Sequence, residues 1–173
     1  MDMSCGSPVE CKGDVNCAAD RQGHGTHCAG TAAGETFGVA PSASVRCVKV
    51  LSDQGSGSWS WSYGALDWLA TNQARPAVAS MGLGGSGTQQ AMKDAVYAAV
   101  NAGVTVVVAG SNENSDACRI SPAFVPSAIT VGSTTSTDAR SSYTNYESCT
   151  DIWVPGSWVV SASHTSDTGS RCL

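Results

Sequence analysis

Charge is scarce in this 173-residue chain. Nine Lys and Arg stand against 14 Asp and Glu, a formal net charge of −5, and charged residues make up 13% of the sequence, about half the usual ~25%. The few basic residues are dispersed and form no stripe, which argues against nucleic acid as a partner. No apolar run approaches the ~18 residues that span a bilayer, so no membrane partner is expected. The start, MDMSCGSPVE, has neither the basic nor the apolar region of a secretory leader. If the parent protein is exported, its leader is expected to lie outside this sequence. There is no internal repeat, no CxxC pair, no G-x-G-x-x-G and no Walker pattern. Those absences weigh against a zinc ribbon, a thioredoxin-like redox centre and a nucleotide-binding domain.

Two residue types are plentiful. Nineteen glycines suit tight turns and close backbone packing. Eight cysteines, at 5, 11, 17, 28, 47, 118, 149 and 172, are too many for a typical cytosolic domain and point to an oxidising compartment. Cys5, Cys11 and Cys17 recur every six residues. A small disulfide or metal cluster, or a disordered terminus with idle thiols, explains that spacing equally well. Length allows one domain or part of one, with close to 70% of the chain's surface buried.

The compositional break lies near Asp20, so residues 1–19 read as a polar leader without regular structure and 20–173 as a partial domain. SVRCVKVL (44–51) reads as a buried strand. Trp59, Tyr63, Leu66 and Ala70 fall on one face of a helix, and AVASMGL (77–83) is a second strand. Thr88 is placed to cap a further helix with Met92, Ala95, Val96, Ala99 and Val100 inward and Gly103 as terminator. The β-branched run VTVVVAG then reads as a third strand covered on both faces. Strand, helix, strand, helix, strand at these spacings implies right-handed crossovers and a parallel sheet, hence an α/β class. AITVG (128–132) and SWVVSA (157–162) read as short strands. In such sheets ligands sit beyond the carboxyl ends of the strands. That draws attention to SMGLGG (80–85) and AGSNEN (109–114), together with GHGTHCAGT (23–31), where His24 begins a helix at a glycine-lined turn.

These three segments, in this order, resemble the subtilisin-like serine proteases, the proteinase K and aqualysin branch above all, from about Asp20 to Leu173. GHGTHCAGT looks like the catalytic-histidine motif, including its cysteine. KVLSDQGSGSWS and SMGLGG are similar to the two segments that flank an extended substrate. ISPA, SSYTNY and DIWVPG are similar to later signatures. The resemblance implies a three-layer fold with a mainly parallel central sheet, truncated here, and peptide-bond hydrolysis by acyl transfer.

Carried over residue by residue, it makes His24 the proton-transfer base, since an imidazole can take a hydroxyl proton and return it to a leaving amine. Other readings are a helix-start histidine satisfied by backbone, or a metal site of His24, His27 and Cys28 lacking a fourth ligand. His27 looks structural, and Cys28 is expected buried beside His24 and unpaired. Asn112 matches the oxyanion-hole asparagine; its alternative is a turn asparagine capping its own backbone. Gly55, Ser56, Gly57, Ser58 and Trp59 on one side, with Gly82, Leu83 and Gly84 on the other, would hold a peptide or protein substrate by main-chain hydrogen bonds. Simple loop flexibility is the other explanation for these glycines. Ala109, Gly110 and Ser111 complete the substrate site, with Ser111 standing where the family has glycine and crowding the primary pocket. The resemblance pairs Cys118 with Cys149. It also suggests a structural calcium ion on the carbonyls of Pro126 and Ala128 and the Asp151 carboxylate; no cofactor is needed for the chemistry.

Two members of the expected triad are not seen. Asp2 and Asp14 lack the context of the family's VDTG strand end, and Asp20 matches a structural position. SASHTSDTGSRCL resembles the segment leading into the GTSM nucleophile motif, and no serine here has that context. No GxSxG or SxxK offers another nucleophile. The chain is therefore expected to be a fragment of an extracellular or secretory endopeptidase, inactive by itself. Alternatively, it is a noncatalytic homologue that binds extended peptides. Without the missing elements, Val104 to Val108 and the helix near Trp59 are expected to expose apolar faces, leaving the isolated chain unstable or associating.

Overall fold

A computed structural model describes residues 1–4 and 8–173, so Cys5 lies outside the described residues. The elements run as α1 (His24–Ala33), α2 (Trp59–Asn72), β1 (Ala77–Met81), β2 (Gly85–Ser86), α3 (Gln90–Asn101), β3 (Val104–Ala109), a 3₁₀ turn (Ala117–Arg119), β4 (Ile120–Ser121), β5 (Ile129–Thr134), β6 (Ile152–Pro155), β7 (Val160–Ala162) and β8 (Ser170–Cys172). They form two compact units, one of residues 1–65 and 158–173, the other of 66–157.

In the first unit, β7 and β8 form an antiparallel hairpin, and α1 packs on β7. Gly30 is the contact point. A Cβ there would fall 2.6 Å from Ser161 Oγ and 2.9 Å from the Ala162 Cβ, so only glycine lets helix and strand approach this closely. Two hydrogen bonds lock the contact: His27 Nε2 with the Val159 carbonyl at 3.0 Å and Ser161 Oγ donating to the His27 carbonyl at 3.0 Å. Residues 1–3 lie beside 47–49, with Lys49 N–H bonding Met1 O and Met3 N–H bonding Lys49 O, each at 2.9 Å. Cys11 is bridged to Cys17. Among the described residues no cluster of His, Cys, Asp and Glu could hold a metal ion.

The second unit holds a four-stranded parallel sheet in the order β1-β3-β5-β6. α3 packs on β3 through Met92, Val96 and Ala99, each fully buried, while Val104, Val106 and Val108 are buried along alternate positions of β3. Gly103, at φ 84°, turns α3 into β3. The side chain of Arg75 donates to the Ala102 carbonyl at 2.8 Å and the Ala70 carbonyl at 3.0 Å, satisfying carbonyls left over at the ends of α3 and α2.

Four expectations need correction. Residues 44–51 are not a strand: only Lys49 bridges, to Asp2, and Val45 and Cys47 are exposed, because a strand needs a ladder along its length and this segment has a neighbour over three residues only. Thr88 does not cap α3, whose entry is held instead by Ser121 Oγ accepting from Gln89 N–H at 2.9 Å and donating to the Gly87 carbonyl at 2.7 Å. The buried stripe of α2 is Ser62, Ala65 and Leu66, rotated from the expected one, whose Trp59, Tyr63 and Ala70 are half-buried. Finally, β3 is not the exposed apolar strand. The pairing puts Val78, Ile129 and Ile152 on the opposite face of the sheet, and those three are 68%, 41% and 48% exposed.

Candidate functional site

His24 opens α1, a helix whose two glycines and two threonines are weak helix formers. Its first turn is held by upstream side chains. Asp20 accepts from Gln22 N–H at 3.0 Å, Gly23 N–H at 2.7 Å, Thr26 N–H at 2.7 Å and the Thr26 hydroxyl at 2.7 Å. Gln22 Oε1 accepts from His24 N–H at 2.8 Å. These are amino-terminal N–H groups with no partner inside the helix. Desolvation alone would raise the Asp20 pKa, but the bonds from Gly23, Thr26 and Gln22 outweigh it and hold the carboxyl well below the usual carboxylate range. Asp20 is therefore an ionised cap.

The His24 side chain is exposed, and its ring lies beside the Cys28 thiol, with Nδ1 3.7 Å from Sγ. It is not satisfied by backbone. Cys28 is unpaired but only half-buried, less than expected. Burial first, and the Asp20 charge second, push its thiol up, so it stays protonated at neutral pH and is no thiolate nucleophile. His27 is 5% exposed and turned toward Val159, so the His24, His27 and Cys28 metal set does not assemble. The patterning gave no signal for two further basic side chains: His164 lies against Gly23, and Arg171 Nη1 would stand 2.8 Å from a Cβ placed there.

Gly55, Ser56, Gly57 and Ser58 belong to the same unit and are all exposed. The Ser52 N–H to Ser56 carbonyl bond at 2.7 Å closes a turn around Gly55, at φ 80°. Trp59 is the first residue of α2, so it does not extend this segment as strand.

In the second unit β1 and β3 run in register from Ala77 beside Val104 to Met81 beside Val108. Their carboxyl ends therefore place Gly82, Leu83 and Gly84 next to Ala109, Gly110, Ser111 and Asn112, at the position where open α/β sheets bind ligands. Gly82 and Gly84 are exposed, and outside the strand ladders residues 82–84 make no backbone hydrogen bond among the described residues. After Ala109, Gly110 N–H still bonds the Val131 carbonyl at 2.8 Å. The chain then turns through Ser111 at φ 78°, a left-handed conformation costing a non-glycine residue about 1–2 kcal/mol.

Glu113 and Asn145 hold this turn. Glu113 accepts from the Ser111 hydroxyl at 3.1 Å, from Asn112 N–H at 3.1 Å and from Asn145 Nδ2 at 2.8 Å. Asn145, fully buried, accepts from Glu113 and Ser115 N–H at 3.0 and 2.9 Å. The turn-capping asparagine is thus Asn145. Asn112 is exposed and its side-chain amide has no hydrogen-bond partner among the described residues. Asn145 lay in the SSYTNY signature, and only its register with β3 reveals its work.

Cys118 is bridged to Cys149. Asp151 Oδ2 accepts from Thr130 N–H at 2.7 Å, while Oδ1 has no protein partner among the described residues. The Asp151 carboxylate and the Pro126 and Ala128 carbonyls are oxygen donors of the kind calcium takes. Among the described residues no helix is long and apolar enough to cross a membrane.

A profile of the Subtilase family matches residues 8–173. The chain is 51% identical over 156 residues to an extracellular serine proteinase of Thermus sp. (strain Rt41A), an alignment covering 90% of this chain and 38% of that protein. It is also 51% identical over 145 residues to alkaline serine exoprotease A of Vibrio alginolyticus, covering 84% and 27%. A solved structure described as a cold adapted subtilisin-like serine proteinase superposes with a TM-score of 0.86 at 47% identity, covering 90% of this chain and 56% of that one. The chain thus spans less than two thirds of each of these proteins.

Proposed function

Because the chain belongs to the subtilase family and has its three-layer α/β fold with a mainly parallel central sheet, we propose that it is the histidine- and oxyanion-bearing part of a secreted serine endopeptidase. His24 is the base that takes the proton of a serine hydroxyl and returns it to the leaving amine. Asn112 donates its side-chain amide to the oxygen that becomes negative in the tetrahedral intermediate. Gly55–Ser58 and Gly82–Gly84 supply main-chain groups for an extended peptide. A calcium ion at Pro126, Ala128 and Asp151 would tie the start of β5 to the start of β6, a structural rather than chemical role.

One observation carries the reading. In the turn after β3, Ser111, Glu113 and Asn114 all commit their polar side chains to neighbours, and among the described residues the Asn112 side-chain amide has no partner. A donor held by a rigid turn and aimed at no protein group is what oxyanion stabilisation requires. No residue of this chain is assigned as the carboxylate that would orient His24 or as the nucleophilic serine.

The test is hydrolysis of a chromogenic peptide anilide by this chain and by the chain within its flanking coding sequence. The longer protein should be active. His24→Ala should remove about six orders of magnitude of kcat, the scale on which the corresponding residue acts in subtilisin, a family member. Asn112→Ala should cost about 10²–10³, again the subtilisin scale. A folded longer protein with no turnover that still binds peptides would establish the noncatalytic alternative instead.

A further inference from the structure

The carboxyl ends of β1 and β3 carry a polar group, Ser111, at a position where the resemblance calls for glycine. Ser111 Oγ donates its proton to Glu113 Oε1 at 3.1 Å. The same oxygen lies 3.3 Å from where a Cβ on Gly84 would sit. The hydroxyl therefore stands between the turn and the facing strand end. A hydroxyl has one proton and two lone pairs; with the proton held by Glu113, it presents only an acceptor to whatever enters beside Gly84. Glu113 is not free to swing into the pocket itself, because Oε2 accepts from Asn112 N–H and Asn145 Nδ2. Its negative charge acts from behind Ser111.

We propose that Ser111, held by Glu113, is a specificity-determining residue that selects a substrate side chain ending in a hydrogen-bond donor, lysine or glutamine, over a hydrocarbon of the same length. This rests on the reading of these two segments as the walls of the primary substrate pocket. Three features make the selection. The accepting oxygen favours a donor, the Glu113 charge behind it disfavours acidic side chains, and the volume of Ser111 beside Gly84 disfavours broad aromatic rings. An uncharged acceptor left facing a hydrocarbon loses a hydrogen bond that water would otherwise supply.

The experiment is a ¹H–¹⁵N NMR titration of the full chain with acetyl-Ala-Ala-Pro-X-amide peptides, X being lysine, glutamine, norleucine or glutamate, followed at the Gly84, Ser111 and Asn112 amides. Lysine and glutamine peptides should bind about two- to ten-fold more tightly than norleucine, the net range for one hydrogen bond, and glutamate should bind most weakly. Ser111→Ala should bring the glutamine to norleucine ratio close to one. Ser111→Gly should do the same in a residue that suits φ 78°, so a folding defect cannot mimic the result. Glu113→Gln, which removes the charge and leaves one oxygen for the Ser111, Asn112 and Asn145 donors, should lower the lysine preference more than the glutamine preference. Binding that shows no donor preference, or a preference that survives Ser111→Gly, overturns the role of Ser111 alone. If no peptide perturbs these amides, the pocket reading itself fails and the proposal with it.

Discussion

Replacing Asp20 by alanine isolates what holds the candidate base in place. The Asp20 carboxylate accepts four hydrogen bonds, three from backbone N–H groups and one from the Thr26 hydroxyl. Loss of a helix-capping side chain costs about 0.5–2 kcal/mol, and with Gly23 and Thr26 N–H both left without their acceptor the upper part of that range, about 1–2 kcal/mol, is expected. The effect is pH-dependent in a definite direction. The folded carboxyl is depressed from its ordinary 3.8, so its stabilisation is complete above that value and is lost as pH falls below it toward the folded pKa. The gap between wild type and Asp20→Ala should hold from about pH 5 to pH 8 and close on further acidification. Asp20→Asn, which keeps a capping oxygen, should lose less and show no such titration. Native-state hydrogen exchange at the Gly23, Thr26 and His27 amides reads the local opening directly, beside urea unfolding for the whole unit. Equal protection in wild type and Asp20→Ala at neutral pH would refute the capping role. An undiminished gap below pH 3 would refute the assignment of the charge.

Gly30→Ala should separate α1 from β7, because its Cβ would strike Ser161 Oγ at 2.6 Å; a loss of about 1–3 kcal/mol, typical of overpacking, should appear in urea unfolding, and an unchanged midpoint would show that the hairpin moves aside freely. Cys118→Ala with Cys149→Ala opens a loop of 31 residues, worth roughly 3–4 kcal/mol on chain-entropy grounds, measured as the shift against the oxidised wild type. Met92→Ala, at a fully buried site against β3, should cost about 2–5 kcal/mol. Terbium luminescence sensitised by the protein should saturate and be displaced by calcium, and Asp151→Asn should weaken it by removing the one charged donor; an unaltered titration in that variant places the ion elsewhere.

The order of motifs and the 3.6- and 2-residue periodicities of this chain are properties of its sequence. They were sufficient for the α/β class, for the inward stripe of Met92, Val96 and Ala99, and for Gly103 as the end of α3, whereas His24 and Asn112 were singled out by the resemblance of their motifs. What a side chain bonds to is decided elsewhere, because hydrogen bonds and burial depend on partners distant in sequence. Asn145 lies 32 residues from Glu113 and Ser121 lies 32 from Gln89, separations no local pattern encodes. The same reason explains the misread segment 44–51: alternation of apolar residues states a readiness to pair, but a strand exists only where another strand runs beside it. It also explains Ser111, whose type was visible at once. Its left-handed backbone, its bond to Glu113 and its place against Gly84 follow from the turn after β3 meeting the end of β1, and only the folded sheet brings those two together.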